Sequence, residues 1–222
     1  TLESPCWEKI DQEDWSLTWK KSWKPDPVGD SLLILPAWLD PPQDYIDRRI
    51  VRIDPGSAFG SGSHPTTRLC LEALERTPPR NLTITDLGCG SGILGITALC
   101  LGAQKVLAID TDSLAINSTT NNFLLNDLPK DSLFLFHGSI RTLLCEGNSE
   151  KADLLLCNIL LPVIKLLAKE FDQILKVNGK ALLSGILVEQ IPELSNFLKP
   201  MGWVASNSWE KSNWGLLEVS RA

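Results

Sequence analysis

The sequence predicts an α/β protein built on a doubly wound, seven-stranded, mostly parallel sheet. Three observations carry this. From residue 81 onward, short apolar runs alternate with amphipathic stretches of helical length. The first run, "LTITDLG", passes into a glycine-rich stretch and then an apolar helix, the layout of a ligand-binding turn. Polar residues gather at the ends of the runs: Asp86 to Gly92, Asp110 to Asp112, Gly138-Ser139 and Asn158. In doubly wound sheets ligands bind beyond the carboxyl ends of the strands, so these residues share one predicted rim.

Residues 1 to about 12 read as a tail. "DWSLTWKKSWK" then places Trp15, Trp19 and Trp23 four apart, on one helical face. The boundary is set at 27, with a tail and linker helix before it and one domain over 28–222. "SLLILPAWL" (31–39) and "RRIVRID" (48–54) read as strands, and "PGSAFGSGSHPTT" (55–67) as a loop. Pro65 suits the first turn of a helix that turns Cys70, Ala73 and Leu74 inward. After the strand at 81–87, "GILGITALCLGA" is a helix ended by Gly102, and "KVLAID" (105–110) a strand. The next helix takes Asp112 or Ser113 as N-cap. Strands follow at 132–138 and 151–159. A helix opening at Pro162 is expected to run to Gly179, just past its end. A strand at 180–186, a helix at 188–199 and two closing strands, paired as an antiparallel hairpin, complete the chain.

Composition excludes several classes. With 222 residues the chain can bury one sizeable core. A net charge of −6 argues against a broad nucleic-acid face. No apolar run reaches the roughly 18 residues of a membrane span. "TLESPCWEKI" lacks the basic start and apolar middle of a signal peptide, and it lacks a starting Met, so a trimmed chain is expected. Six cysteines without a CxxC pair read as reduced thiols of a cytoplasmic protein. His64 and His137 have no partners spaced for a metal, and none is expected. A monomer without membrane or direct nucleic-acid contacts is expected.

The glycine stretch raises the question of its ligand. Gly90-x-Gly92-x-x-Gly95 followed by Asp110 would suit a dinucleotide. A diphosphate, however, wants helix N–H groups and no carboxylate close by. Asp86 stands two residues before Gly88. S-adenosylmethionine carries an ammonium and a sulfonium, which an acid attracts, and glycines still let the main chain approach it closely. Asp86-x-Gly88-x-Gly90-x-Gly92 therefore favours S-adenosylmethionine, with Asp110 suited to ribose hydroxyls of either cofactor.

"IDPGSAFGSGSHPTTRLCLEALE", "DLGCGSGILGITALCLGAQKVLAIDTD" and "CNILL" together resemble the PrmA-type methyltransferases, which modify a large-subunit ribosomal protein. "LLSGIL" and "NWGLLEVSR" agree, and the likeness covers residues 14 to about 222. It implies a class I (Rossmann-like) S-adenosylmethionine-dependent methyltransferase over 28–222, acting on lysine side chains and the α-amino group of that protein. By the same resemblance Thr67, Gly88, Asp110 and Asn158 would contact the cofactor or line its pocket, and Phe59 and Gly60 belong to a loop covering it. The family's small ferredoxin-like N-terminal domain has no counterpart in residues 1–222. Either it was removed, or the acceptor is another protein or a small-molecule amine.

Asn158 is expected to be catalytic: its side-chain carbonyl would take a hydrogen bond from the incoming amine and steer its lone pair. Ile159 and Leu160 would form an apolar lip. His64 reads as a helix cap or packing residue rather than a general base. Ser139 suits either adenine or a plain turn.

Overall fold

The computed structural model describes residues 20, 23–54, 60–145 and 150–222. Of the tryptophan stripe, Trp15 and Trp19 lie outside these residues, as do Phe59 and the tail.

The main sheet has seven strands. They are β4 (Thr83–Leu87), β5 (Lys105–Asp110), β6 (Leu133–His137), β7 (Ala152–Asn158), β8 (Leu175–Leu187), β9 (Trp203–Lys211) and β10 (Trp214–Arg221). Their order is β6-β5-β4-β7-β8-β10-β9. The pairs from β6 to β8 are parallel; β10 runs antiparallel to both β8 and β9, as the expected closing hairpin. The order reverses between β4 and β7, so the two chains leaving these strands diverge and open a crevice at their carboxyl ends.

Helices cover both faces. On one lie α1 (Pro65–Arg76), α2 (Ile93–Cys100) and α3 (Ser113–Leu124). On the other lie α4 (Ile140–Cys145), α5 (Leu161–Leu167), α6 (Phe171–Ile174) and α7 (Ile191–Leu198). The central strands are buried on both faces, which is why they read as unbroken apolar runs. The first core joins Leu69, Leu74, Ile84, Ile96 and Val106. The second joins Leu155, Ile164, Phe171, Leu183, Leu194 and Trp203.

Three features differ from the sequence expectation. The two early strands do not stand alone. β2 (Leu32–Pro36) and β3 (Arg49–Ile53) pair in parallel, and β1 (Asp26–Val28) adds antiparallel to β2, as a separate three-stranded sheet. Its Val28, Ile34, Val51 and Ile53 join the first core. The open edge of β3 is met by a side chain: Asn126 accepts from Arg52 N and donates to Arg52 O, both at 2.8 Å. Secondly, the helix beginning near Pro162 stops well before Gly179. It breaks into α5, a 3₁₀ turn and α6, and β8 already starts at Leu175 opposite Ala152. Pairing with β7 overrides the apolar helical period there. Thirdly, α4 follows β6 although its six residues gave too short a pattern to read.

Candidate active site

The glycine stretch between β4 and α2 is tied down from β5. Gly88 N–H and Cys89 N–H donate to Ile109 O at 2.8 and 3.0 Å. Gly90 N–H donates to Asp110 Oδ2 at 2.9 Å, and Asp112 N–H to Asp110 Oδ1 at 3.0 Å. Asp110 thus fixes both the loop and the start of α3, which Asp112 caps by accepting from Leu114 N–H. Gly92 sits at φ +79, where an added Cβ would lie 2.6 Å from Thr119 Cγ2. That close approach lets Thr119 Oγ1 donate to Gly90 O at 3.0 Å. The glycine is needed for packing as much as for the turn.

Two buried residues that sequence reasoning missed lock the surroundings. Ser91 Oγ donates to Gly60 O at 2.6 Å, joining the loop before α1 to the glycine loop. Asn122 Nδ2 donates to Ser91 O at 2.8 Å, and its Oδ1 accepts from Asp54 N–H at 2.7 Å. The available signal was a polar residue on the inward face of an amphipathic helix, next to Phe123.

Beyond the carboxyl ends of β4, β5 and β7 lies a cavity of about 280 Å³. Gly60, Thr67, Gly88, Gly90, Asp110 and Asn158 all line it. Gly138 and Ser139 from the end of β6 join them, with an apolar side made by Ile159, Val163 and Leu167. Asn158 ends β7, and its Nδ2 donates a long 3.4 Å hydrogen bond to Thr67 Oγ1 in the first turn of α1. Leu160, just outside, is 66% exposed. Phe59 lies outside the described residues.

Two expectations require correction. Asp86 and Gly92 do not line the cavity. Asp86 lies beneath the loop, 1% exposed, with Oδ2 accepting from Gly95 N–H at 2.9 Å. Side chains alternate along β4, and Asp86 falls on the face of Ile84, toward α1 and α2. Burial, helped by the nearby Asp110 charge, raises its carboxyl to about 7 against the pull of the Gly95 hydrogen bond. Among the described residues the only carboxylate lining the cavity is therefore Asp110.

Asp86 nevertheless bears on what the loop can hold. Gly92 caps α2, so the N–H groups of Ile93, Leu94 and Gly95 form its first turn. Asp86 takes that of Gly95, and Ser91 Oγ that of Ile93 at 3.4 Å. A diphosphate would find those donors engaged and a carboxyl behind them. A cationic, phosphate-free ligand meets neither obstacle. The residues present thus fit S-adenosylmethionine.

His64 caps α1. Its Nδ1 accepts from Thr66 N–H at 3.3 Å, and its ring meets Trp214 edge-on at 5.0 Å. It does not line the cavity. Among the described residues no cluster of His, Cys, Asp and Glu could hold a metal, and no helix is long and apolar enough to cross a membrane.

Solved structures share this fold. The 16S rRNA N2 G1207 methyltransferase of T. Thermophilus, in complex with AdoMet and guanosine, superposes with a TM-score of 0.61 at 19% identity. The match covers 74% of this chain and 45% of that one. The sheet order and its rim cavity are those of a class I S-adenosylmethionine-dependent methyltransferase, in accord with the family the chain matches. More specifically, the family model for ribosomal protein L11 methyltransferase (PrmA) matches residues 2–222. A relative of that name from Prochlorococcus marinus (strain MIT 9313) is 56% identical over 220 residues, 99% of this chain and 73% of its own. Another, from Parasynechococcus marenigrum (strain WH8102), is 55% identical over 217 residues, 97% of this chain and 74% of its own. The crystal structure of ribosomal protein L11 methylase from Lactobacillus delbrueckii subsp. bulgaricus has a TM-score of 0.78 at 32% identity. It covers 90% of this chain and 99% of that one. The chain belongs to the ribosomal protein L11 methyltransferase family.

Proposed function

We propose that the protein methylates amines, lysine side chains and the α-amino group, of the large-subunit ribosomal protein L11. What supports this is the family match over residues 2–222, together with Asn158, held by Thr67 in a cavity wall that also carries Ile159, Val163 and Leu167. Domain 28–222 performs the chemistry, as a cytoplasmic monomer.

Bound in the cavity, S-adenosylmethionine supplies an already activated methyl group on a sulfonium. Asp110 offers its remaining lone pairs to the ribose hydroxyls, while Gly60, Gly88, Gly90 and Thr67 shape the wall. Gly92 and Asp86 act indirectly, by holding the loop and α2. Phe59, named by the resemblance, would cover the ligand.

The chain must then present a neutral amine. A lysine with a pKa near 10.4 pays about 4.6 kcal/mol to be neutral at pH 7. Ile159, Val163 and Leu167 lower that cost by desolvating the ammonium. With Nδ2 engaged by Thr67, Asn158 would offer Oδ1 as the acceptor for an amine N–H. Fixing the nitrogen in this way is an orientation effect, worth several kcal/mol in favourable cases. No side-chain nucleophile is required.

The test is transfer of labelled methyl groups to purified L11. Asn158→Ala should lower kcat at least about tenfold more than it weakens cofactor binding. Equal losses in both would remove its orienting role. Labelling of another protein or a small amine, with L11 left unmodified, would replace the acceptor.

A further inference from the structure

Gly185 lies in the mostly apolar stretch "LLSGIL" and belongs to none of the roles above. In β8 it is the extra residue of a bulge. Ser184 pairs with Leu216 and Ile186 with Gly215, leaving Gly185 unmatched on β10. Its backbone is left-handed, at φ +82. On the other side of β8, Asn158 is the register partner of Ser184, and Ile159 N–H donates to Ser184 O at 3.2 Å.

The bulge leaves room for one thing. A Cβ on Gly185 would stand 2.4 Å from Ile159 O and 2.8 Å from both Ile159 C and N. These are backbone atoms, which cannot swing aside. Across the cavity wall a Cβ on Gly88 would lie 2.6 Å from Ile159 Cγ2. Ile159, the residue after Asn158, is therefore flanked by two glycines, its side chain against the cofactor loop and its backbone against the bulge. Bulges beside active sites commonly re-aim a neighbouring side chain.

We propose that the Gly185 bulge is a positioning device for methyl transfer. By admitting the Ile159 backbone it sets where β7 ends, and so where the Asn158 amide stands relative to the cavity. The inference rests on Asn158 orienting the amine.

Gly202 supplies the control. It has the same φ of +82, but a Cβ there meets only the end of the flexible Arg221 side chain, and it does not line the cavity. Gly185→Ala and Gly202→Ala thus share a positive φ and differ in the displaced neighbour. In labelled methyl transfer to L11, Gly185→Ala is expected to lower kcat about 100-fold, the size of a misplacement of about 1 Å. Its calorimetric Kd for S-adenosylmethionine should stay within about threefold, and Gly202→Ala should keep kcat within about threefold. Equal loss of kcat in both variants, or wild-type kcat in Gly185→Ala, overturns the proposal. If Gly185→Ala fails to fold, hydrogen exchange in the wild-type chain decides. The Ile159 amide should be protected like the β8 amides around Leu183, and exchange at loop rates overturns the proposal. A wild-type chain that transfers nothing to L11 defeats the functional reading alone, and exchange still judges the bulge.

Discussion

Replacing Asp110 by alanine separates its structural and ligand-binding contributions. Its carboxylate accepts from Gly90 N–H at 2.9 Å and Asp112 N–H at 3.0 Å. Losing those bonds lowers the stability of the fold itself. Affinity falls for two other reasons. Gly90 becomes free to leave φ +56, and ordering one backbone residue costs about 1–2 kcal/mol on binding. The ribose hydroxyls also lose a charged acceptor, worth about 1.5 kcal/mol at the lower end for a half-exposed group. Together these give about 2.5–3.5 kcal/mol, or roughly 70- to 400-fold in Kd. Asp112→Ala is the control. It removes the α3 cap, at a cost of about 1 kcal/mol in stability, without touching the cavity. Isothermal calorimetry with S-adenosylmethionine, alongside thermal melts, measures both quantities. An Asp110→Ala affinity within about threefold of wild type would remove Asp110 from ligand binding, since about 0.7 kcal/mol cannot contain either contribution.

Two further outcomes follow from the buried polar residues around the loop. Asn122→Ala strands Ser91 O and Asp54 N–H and should destabilise the fold by about 2–4 kcal/mol in urea titrations; a loss under about 1 kcal/mol would show that water replaces the bridge. For Asp86 the folded carboxyl sits at about 7, above its ordinary 3.8, so the folded state binds the proton more tightly. Stability from this group is highest below about pH 4 and declines as pH rises to about 7, by at most about 4 kcal/mol. Asp86→Asn keeps an acceptor for Gly95 N–H and removes that decline, so its stability relative to wild type should rise between about pH 4 and 7 and level off above; a flat difference throughout would mean the carboxyl ionises freely.

The rim of the main sheet was legible because its residues obey two independent constraints. Apolar runs mark β4, β5 and β7, and the polar residues ending them must meet wherever parallel strands end together. Partnership between sheets was not legible. β2 and β3 have strand composition, but nothing local says that they pair with β1 above the helices rather than with β4. Gly179 shows the same limit: a helical period ran on through Ile174 and Leu175, and only pairing with β7 turns Leu175 into a strand residue. Asp86 is more instructive. A central strand is apolar on both faces, so alternation could not tell which way its side chain points. The cofactor was inferred from an acid assumed to face the ligand, whereas the acid lies buried behind the loop. The inference survives because the same carboxyl occupies a helix N-terminal donor that a diphosphate would need. It selects the ligand by what it withholds rather than by what it attracts. The Gly95 bond acts with that of Ser91 on Ile93 N–H, leaving a diphosphate fewer donors, and among the described residues charge in the cavity itself rests on Asp110.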